Sequence, residues 1–175
     1  MADAFGTVAV LGTISFVSTS IEANGAASLS VQNHTLIAEP SGGTSPRAED
    51  IVGRLVKAKL DASVSENIRG EEWTKFSWWL GAATLALVPH QAAWKFFTDP
   101  GTARMMARVA REAASHAKHL DVQMQPDSPI NMVKLVGGTE DEAVALIQET
   151  GEWLGQSAPN FRPCLADDTP TARLH

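Results

Sequence analysis

The chain has 175 residues and carries 14 basic against 20 acidic side chains, a formal net charge of −6. That length holds one domain, or one with an appendage. The sign of the charge, with no cluster of Lys or Arg, excludes an electrostatic nucleic-acid binder. An apolar share of 44% can build a real core, and the single Cys164 excludes an internal disulfide and points to a reducing compartment.

The opening "MADAF" has an acid and no basic residue before its apolar run, so no signal peptide is expected. The uncharged runs over 7–17 and 76–88 are too short to cross a bilayer. The expectation is a cytoplasmic protein with no membrane partner.

In chain order, "TVAVLGTISFVSTSI" (7–21) is rich in Val, Ile, Thr and Phe and reads as a strand. "EANGA" (22–26) is a turn signal. "SLSVQNHTLIAE" (28–39) resumes the alternation through Leu29, Val31, Leu36 and Ala38, and "PSGGTS" (40–45) closes it as a loop. The pattern predicts an antiparallel β-hairpin or short meander.

The apolar period then changes from two to about 3.6. Ser45 before Pro46 reads as an N-cap, and Ile51, Val52, Leu55 and Val56 line one side of a helix to about Leu60. "DASVSEN" (61–67) is a short extended link. A long helix from about Arg69 to Val88 is ended by Pro89.

Another helix, from about Thr102 to Leu120, sets Met105, Val109, Ala113 and Ala117 near one face and arginines on another. "TEDE" pairs Thr139 with Glu142 as a capping box and opens a helix to about Leu154. Beyond it, Pro159, Pro163 and Pro170 mark a loop-like tail. The predicted class is α+β, with a hairpin segment over 1–44 and a helical domain over 45–175.

Chemistry concentrates in "EEWTKFSWWLGAATLALV" (71–88). It has no charge after Lys75 and holds three of the five tryptophans. Lys75 can lie along Trp79 with its ammonium paired to Glu71 or Glu72, or it can face a substrate. Trp73 is expected in the core, and Trp79, one turn from Lys75, as the wall of a pocket. Gly81, Ala82 and Ala83 leave room for a neighbouring helix or a ligand.

His116 and His119 are one helical turn apart with no third ligand in view, so no metal site is expected. His90 is placed at a helix end, Cys164 reads as a small hydrophobe, and Asp167 with Asp168 as a solvated pair.

Three segments carry a resemblance to a known family: "ISFVSTSIEANG", "AEPSGGTSPRAEDIVGRLVKA" and "SENIRGEEWTKFSWWL". Together they are similar to the ketopantoate reductase (2-dehydropantoate 2-reductase) family, from the end of its nucleotide-binding domain into its helical C-terminal domain. "NIRGEEWTKF" (67–76) is the most specific part, matching the family's Asn-Ile-Arg-x-x-x-Trp-x-Lys signature. The resemblance covers nearly all of this chain but only about half of a family member.

The resemblance implies that Lys75 is the acid/base beside a substrate carbonyl. Trp79 and Ala83 stand where the family has substrate asparagines. Pro163 takes the place of its serine, and its carboxylate falls near His175. "PCLADD" resembles the family segment bordering the substrate, which adds Asp167 to the candidates.

No G-x-G-x-x-G occurs among the 13 glycines, and no βαβ unit is predicted before residue 45. The expectation is therefore no cofactor and no reductase activity of its own.

Lys75 is the catalytic candidate, with Trp78, Trp79, Ala83 and Asp167 around an apolar small-molecule substrate. The reaction expected is a non-redox cyclisation or isomerisation. The alternatives are a split or truncated NADPH-dependent reductase subunit, and a non-catalytic binding or oligomerisation module. A hairpin with an open edge further predicts a homodimer.

Overall fold

The computed structural model describes residues 2–6, 9–21, 24–86, 91–126 and 128–163. The architecture is α+β. Its elements are α1 (Ala2–Phe5), β1 (Gly12–Ile21), β2 (Ala27–Ala38), α2 (Pro46–Lys57), β3 (Ala62–Val64), α3 (Ile68–Ala86), α4 (Ala93–Thr98), α5 (Pro100–His119), α6 (Met132–Gly137) and α7 (Glu140–Ser157). Contacts divide the chain into two units, Met1–Val17 with Gln32–Glu72, and Ser18–Val31 with Trp73–His175. Among the described residues no helix is long and apolar enough to cross a membrane.

In the sheet the strand order is β1-β2-β3. A link as short as 22–26 permits only antiparallel pairing of β1 with β2, which gives the expected hairpin. The extended link at 61–67 contributes a third strand. It runs parallel to β2, with Thr35 opposite Ala62, Leu36 opposite Ser63 and Ile37 opposite Val64. Helix α2 makes the crossover that parallel pairing requires.

Ser45, extended at φ −146°, accepts a hydrogen bond from Ala48 N with Pro46 at the first helical position, so α2 starts where expected. Its inward side is Ala48, Val52 and Leu55, the i, i+4, i+7 set. Ile51 and Val56 are exposed, which corrects the four-residue stripe: they lie on either flank of that line, each roughly 70° from its centre.

In the second unit the core gathers Phe96, Phe97, Met106, Ile130, Met132, Leu135 and Ile147, all at most 4% exposed. Burying each such side chain contributes roughly 1.5–3 kcal/mol of transfer free energy. Asp99 caps α5 by accepting from Thr102 N at 2.9 Å. The expected apolar face of α5 is corrected. Met105 is 56% exposed, and the buried stripe is Ala103, Met106, Ala107, Ala110, Ala113, Ala114 and Ala117.

The capping box of α7 is present: Glu142 N donates to Thr139 Oγ1 (3.2 Å) and Thr139 N to Glu142 Oε2 (2.6 Å). The short helices α4 and α6 add to the expected set, the latter capped by Asn131, whose Oδ1 accepts from Lys134 N at 3.0 Å.

Candidate functional site around Lys75

The signature segment builds its own helix start. Asn67 Oδ1 accepts from Gly70 N at 3.1 Å, and Asn67 N donates to Ser65 Oγ at 3.1 Å. Asn67 thus caps α3, satisfying backbone donors that the first turn leaves open.

Further along, Thr74 is fully buried. Its Oγ1 accepts from Gln125 N at 2.8 Å, while the hydroxyl faces Met124 Sδ at 3.5 Å. Ser77, also fully buried, donates to Trp73 O at 2.8 Å. These two polar side chains are accommodated in the interior because each has a partner.

Lys75 lies between that buried side and the exposed stripe of Phe76 and Leu80. It is half-buried, whereas Lys57, Lys59, Lys95, Lys118 and Lys134 are all exposed. Burial disfavours its charged form and pushes the ammonium below the ordinary lysine value of 10.5.

One turn on, Trp79 packs edge to face with Trp78, ring centres 5.5 Å apart at 86°. Trp73 pairs in the same way with Phe76 at 5.6 Å and is half-buried. The buried indole N–H of Trp78 meets no acceptor among the described residues.

Ala83 is buried, 7% exposed, and Gly81 closely approaches α5. Lys75, Trp78, Trp79 and Ala83 therefore share one helix, with the two tryptophans in contact. Asp167 lies outside the described residues, as do His90, Cys164, Asp168 and His175.

His116 and His119 are exposed, and His119 Nδ1 donates to Ser115 O at 2.7 Å. No group of three or more metal-binding side chains occurs among the described residues. Sequence patterns did not reveal the Thr74–Gln125 tie. Nor did they reveal an open groove of about 290 Å³ between α4 and α7, lined by Trp94, Thr98, Glu152, Gly155 and Gln156.

No family model matches the chain, and no curated protein does. Solved structures do. A candidate ketopantoate reductase from Ralstonia solanacearum aligns at TM-score 0.64 and 20% identity, over 99% of this chain and 57% of its own. The 2-dehydropantoate 2-reductase of Geobacter metallireducens gives TM-score 0.72 at 14% identity, over 95% and 50%. D-Mandelate dehydrogenase in complex with NADH gives 0.70 at 14%, over 92% and 49%.

The chain thus has a ketopantoate reductase-like fold and spans about half the length of these solved relatives.

The last of these neighbours was solved with NADH, and β2–α2–β3 is a βαβ unit, the kind of crossover whose helix N-terminus can receive a pyrophosphate. The residues there do not fit one. Glu39 already sits at that terminus, accepting from Arg47 Nε (2.6 Å) and Ser45 Oγ (2.5 Å), with Arg47 Nη2 also bonded to Val10 O at 3.0 Å. Hydrogen bonds from Arg47 and then Ser45 hold the Glu39 carboxyl at about 2. A fixed carboxylate at that point repels a phosphate.

Proposed function

We propose that this ketopantoate reductase-like domain binds an apolar small molecule beside Lys75 and catalyses a non-redox step, a cyclisation or an isomerisation. The observation that carries the reading is the half-burial of Lys75, singular among the six lysines. A desolvated ammonium is a stronger proton donor near neutral pH than a solvated one. It would donate to a substrate carbonyl oxygen as negative charge develops there, and take the proton back at the end of the step.

Trp79 and Trp78 would supply the apolar wall. The dimeric state is part of the proposal, and light scattering at twice the chain mass is the result expected.

The test is native mass spectrometry of the purified chain after incubation with extract of the producing cell. A bound small molecule on the wild type that is lost in Lys75→Met, with unchanged far-UV circular dichroism, supports the reading. Equal occupancy of the two proteins removes Lys75 from the site.

A second reading is favoured by the reductase and dehydrogenase names of the neighbours. Here the chain is the substrate half of an NADPH-dependent 2-dehydropantoate 2-reductase, and a separate polypeptide supplies the nucleotide-binding half. Lys75 then keeps the donor role. NADPH consumption with ketopantoate, seen only after adding a G-x-G-x-x-G-containing partner, distinguishes it from the first.

A further inference from the structure

Away from α3, three side chains in and beside the sheet form a hydrogen-bonded series. His34 on β2 places Nε2 2.6 Å from Ser63 Oγ on β3, and Nδ1 2.7 Å from Asp61 Oδ1. We propose that Ser63 is a nucleophile toward small carboxylic esters, with His34 as its base and Asp61 as the residue that positions the imidazole.

The polarity of the series is set by its end. A carboxylate only accepts, so Nδ1 carries the imidazole proton and Nε2 presents a lone pair to the Ser63 hydroxyl. That is the arrangement in which a serine proton can leave as its oxygen attacks a carbonyl.

The register explains how three residues so far apart meet. Leu36 lies opposite Ser63, and side chains two apart on a strand share a face. His34 therefore projects on the same face as Ser63 and Asp61, between them.

Backbone geometry adds a donor. Thr35 N donates to Asp61 O at 2.9 Å and Ser65 N to Ile37 O at 3.0 Å. In that parallel ladder the N–H of Ser63 faces β2, and the N–H of Val64 faces the opposite side of β3, the edge of the three-stranded order. A backbone N–H directly after the nucleophile is placed to receive the developing oxyanion.

Access is open. Ser63 is half-buried, and the His34 and Asp61 side chains are 33% and 64% exposed. Thr35 Oγ1 donates to Ser15 Oγ at 3.3 Å, which places Ser15 on the other face of the sheet. Alternation then turns the buried Ile14 and Phe16 toward the His34 face, as an apolar neighbour for a short acyl group.

In the step itself, Ser63 Oγ bonds to the ester carbonyl carbon while its proton passes to His34 Nε2. The bond to the leaving alkoxide breaks, and the alcohol departs with that proton. Water, deprotonated by Nε2, then cleaves the Ser63 ester, releasing the acid and restoring the hydroxyl. The sum is ester plus water to acid plus alcohol.

The test is labelling of the full chain with a fluorophosphonate, located by peptide mass spectrometry. The expected result is stoichiometric modification at Ser63 ahead of every other serine, slowed about 100-fold in His34→Gln, where the general base is lost. Asp61→Asn is also slow, and Asp61→Glu recovers part of the rate, which a merely structural role would not produce. Labelling absent at Ser63, or spread evenly over several serines of the wild type, overturns the proposal. So does a folded His34→Gln protein that labels at the wild-type rate.

Discussion

A Cβ added to Gly81 would stand 2.9 Å from the carbonyl oxygen of Met106 and 3.0 Å from its Cγ. Helices α3 and α5 meet there at backbone distance, and the backbone cannot swing aside as a flexible side chain could.

Gly81→Ala is therefore expected to destabilise. Alanine gains about 1 kcal/mol of helix propensity, and overpacking costs about 1–3 kcal/mol, so the clash wins. Gly53→Ala on α2 meets nothing within 4 Å and is expected to stabilise by up to about 1 kcal/mol. Urea midpoints of the two variants should move in opposite directions, and a shared direction would deny the close approach.

Thr74→Val keeps the volume but removes the acceptor of Gln125 N. A desolvated donor left without a partner costs about 1–3 kcal/mol. Hydrogen exchange at Gln125 should accelerate in the variant, while the capping-box amides of α7 keep their protection. Unchanged exchange at Gln125 would show that the tie contributes nothing.

Glu140 sits in the first turn of α7. Arg108 and then Arg104 hydrogen-bond its carboxylate and hold it at about 2, against an ordinary 4.5. Because the folded value is the lower one, the stabilisation is complete above 4.5 and fades as the pH falls toward 2. Glu140→Gln should melt a few degrees lower at pH 7. Melting curves of the two proteins should converge across that acid window, and a constant gap would argue against the ion pair.

Lys75 carries the opposite sign. Its folded value lies below 10.5, so burial of the charge opposes folding at neutral pH, and stability rises with pH between the folded value and 10.5. Lys75→Met is expected to stabilise by at most about 1 kcal/mol near pH 7, because half-exposure screens the cost. The advantage should shrink as the pH approaches 10.5. Carbon-13 methyl labelling of the lysines reads the titration directly, and a Lys75 midpoint at or above 10.5 would remove the desolvated donor.

Local chemistry was legible in the chain, and distant pairing was not. Ser45–Pro46 and Thr139 with Glu142 were readable because a cap is written in consecutive residues. Strand β3 has three residues, and only its partner on β2, 27 positions back in the register, makes it a strand. The line through Met105 reads as the apolar face because it continues to Val109, whereas the line through Met106 continues to Ala110. The actual buried stripe of α5 is mostly alanine, which carries little hydropathy but lets neighbours come close.

The Lys75 position followed from the Asn67–Phe76 signature. Its half-burial depends on tertiary packing that spacing along one helix does not encode.

The Thr74–Gln125 bond joins positions 51 residues apart. During synthesis at about 5–20 residues per second, the helix bearing Thr74, Ser77 and the paired indoles is complete several seconds before its partner segment has been translated. For that interval a greasy rod whose Thr74 has yet to meet Gln125 must stay in the exit tunnel or be shielded by a chaperone. Synonymous codons that slow translation between positions 90 and 125 would lengthen that exposure and should lower the soluble yield without altering a single residue.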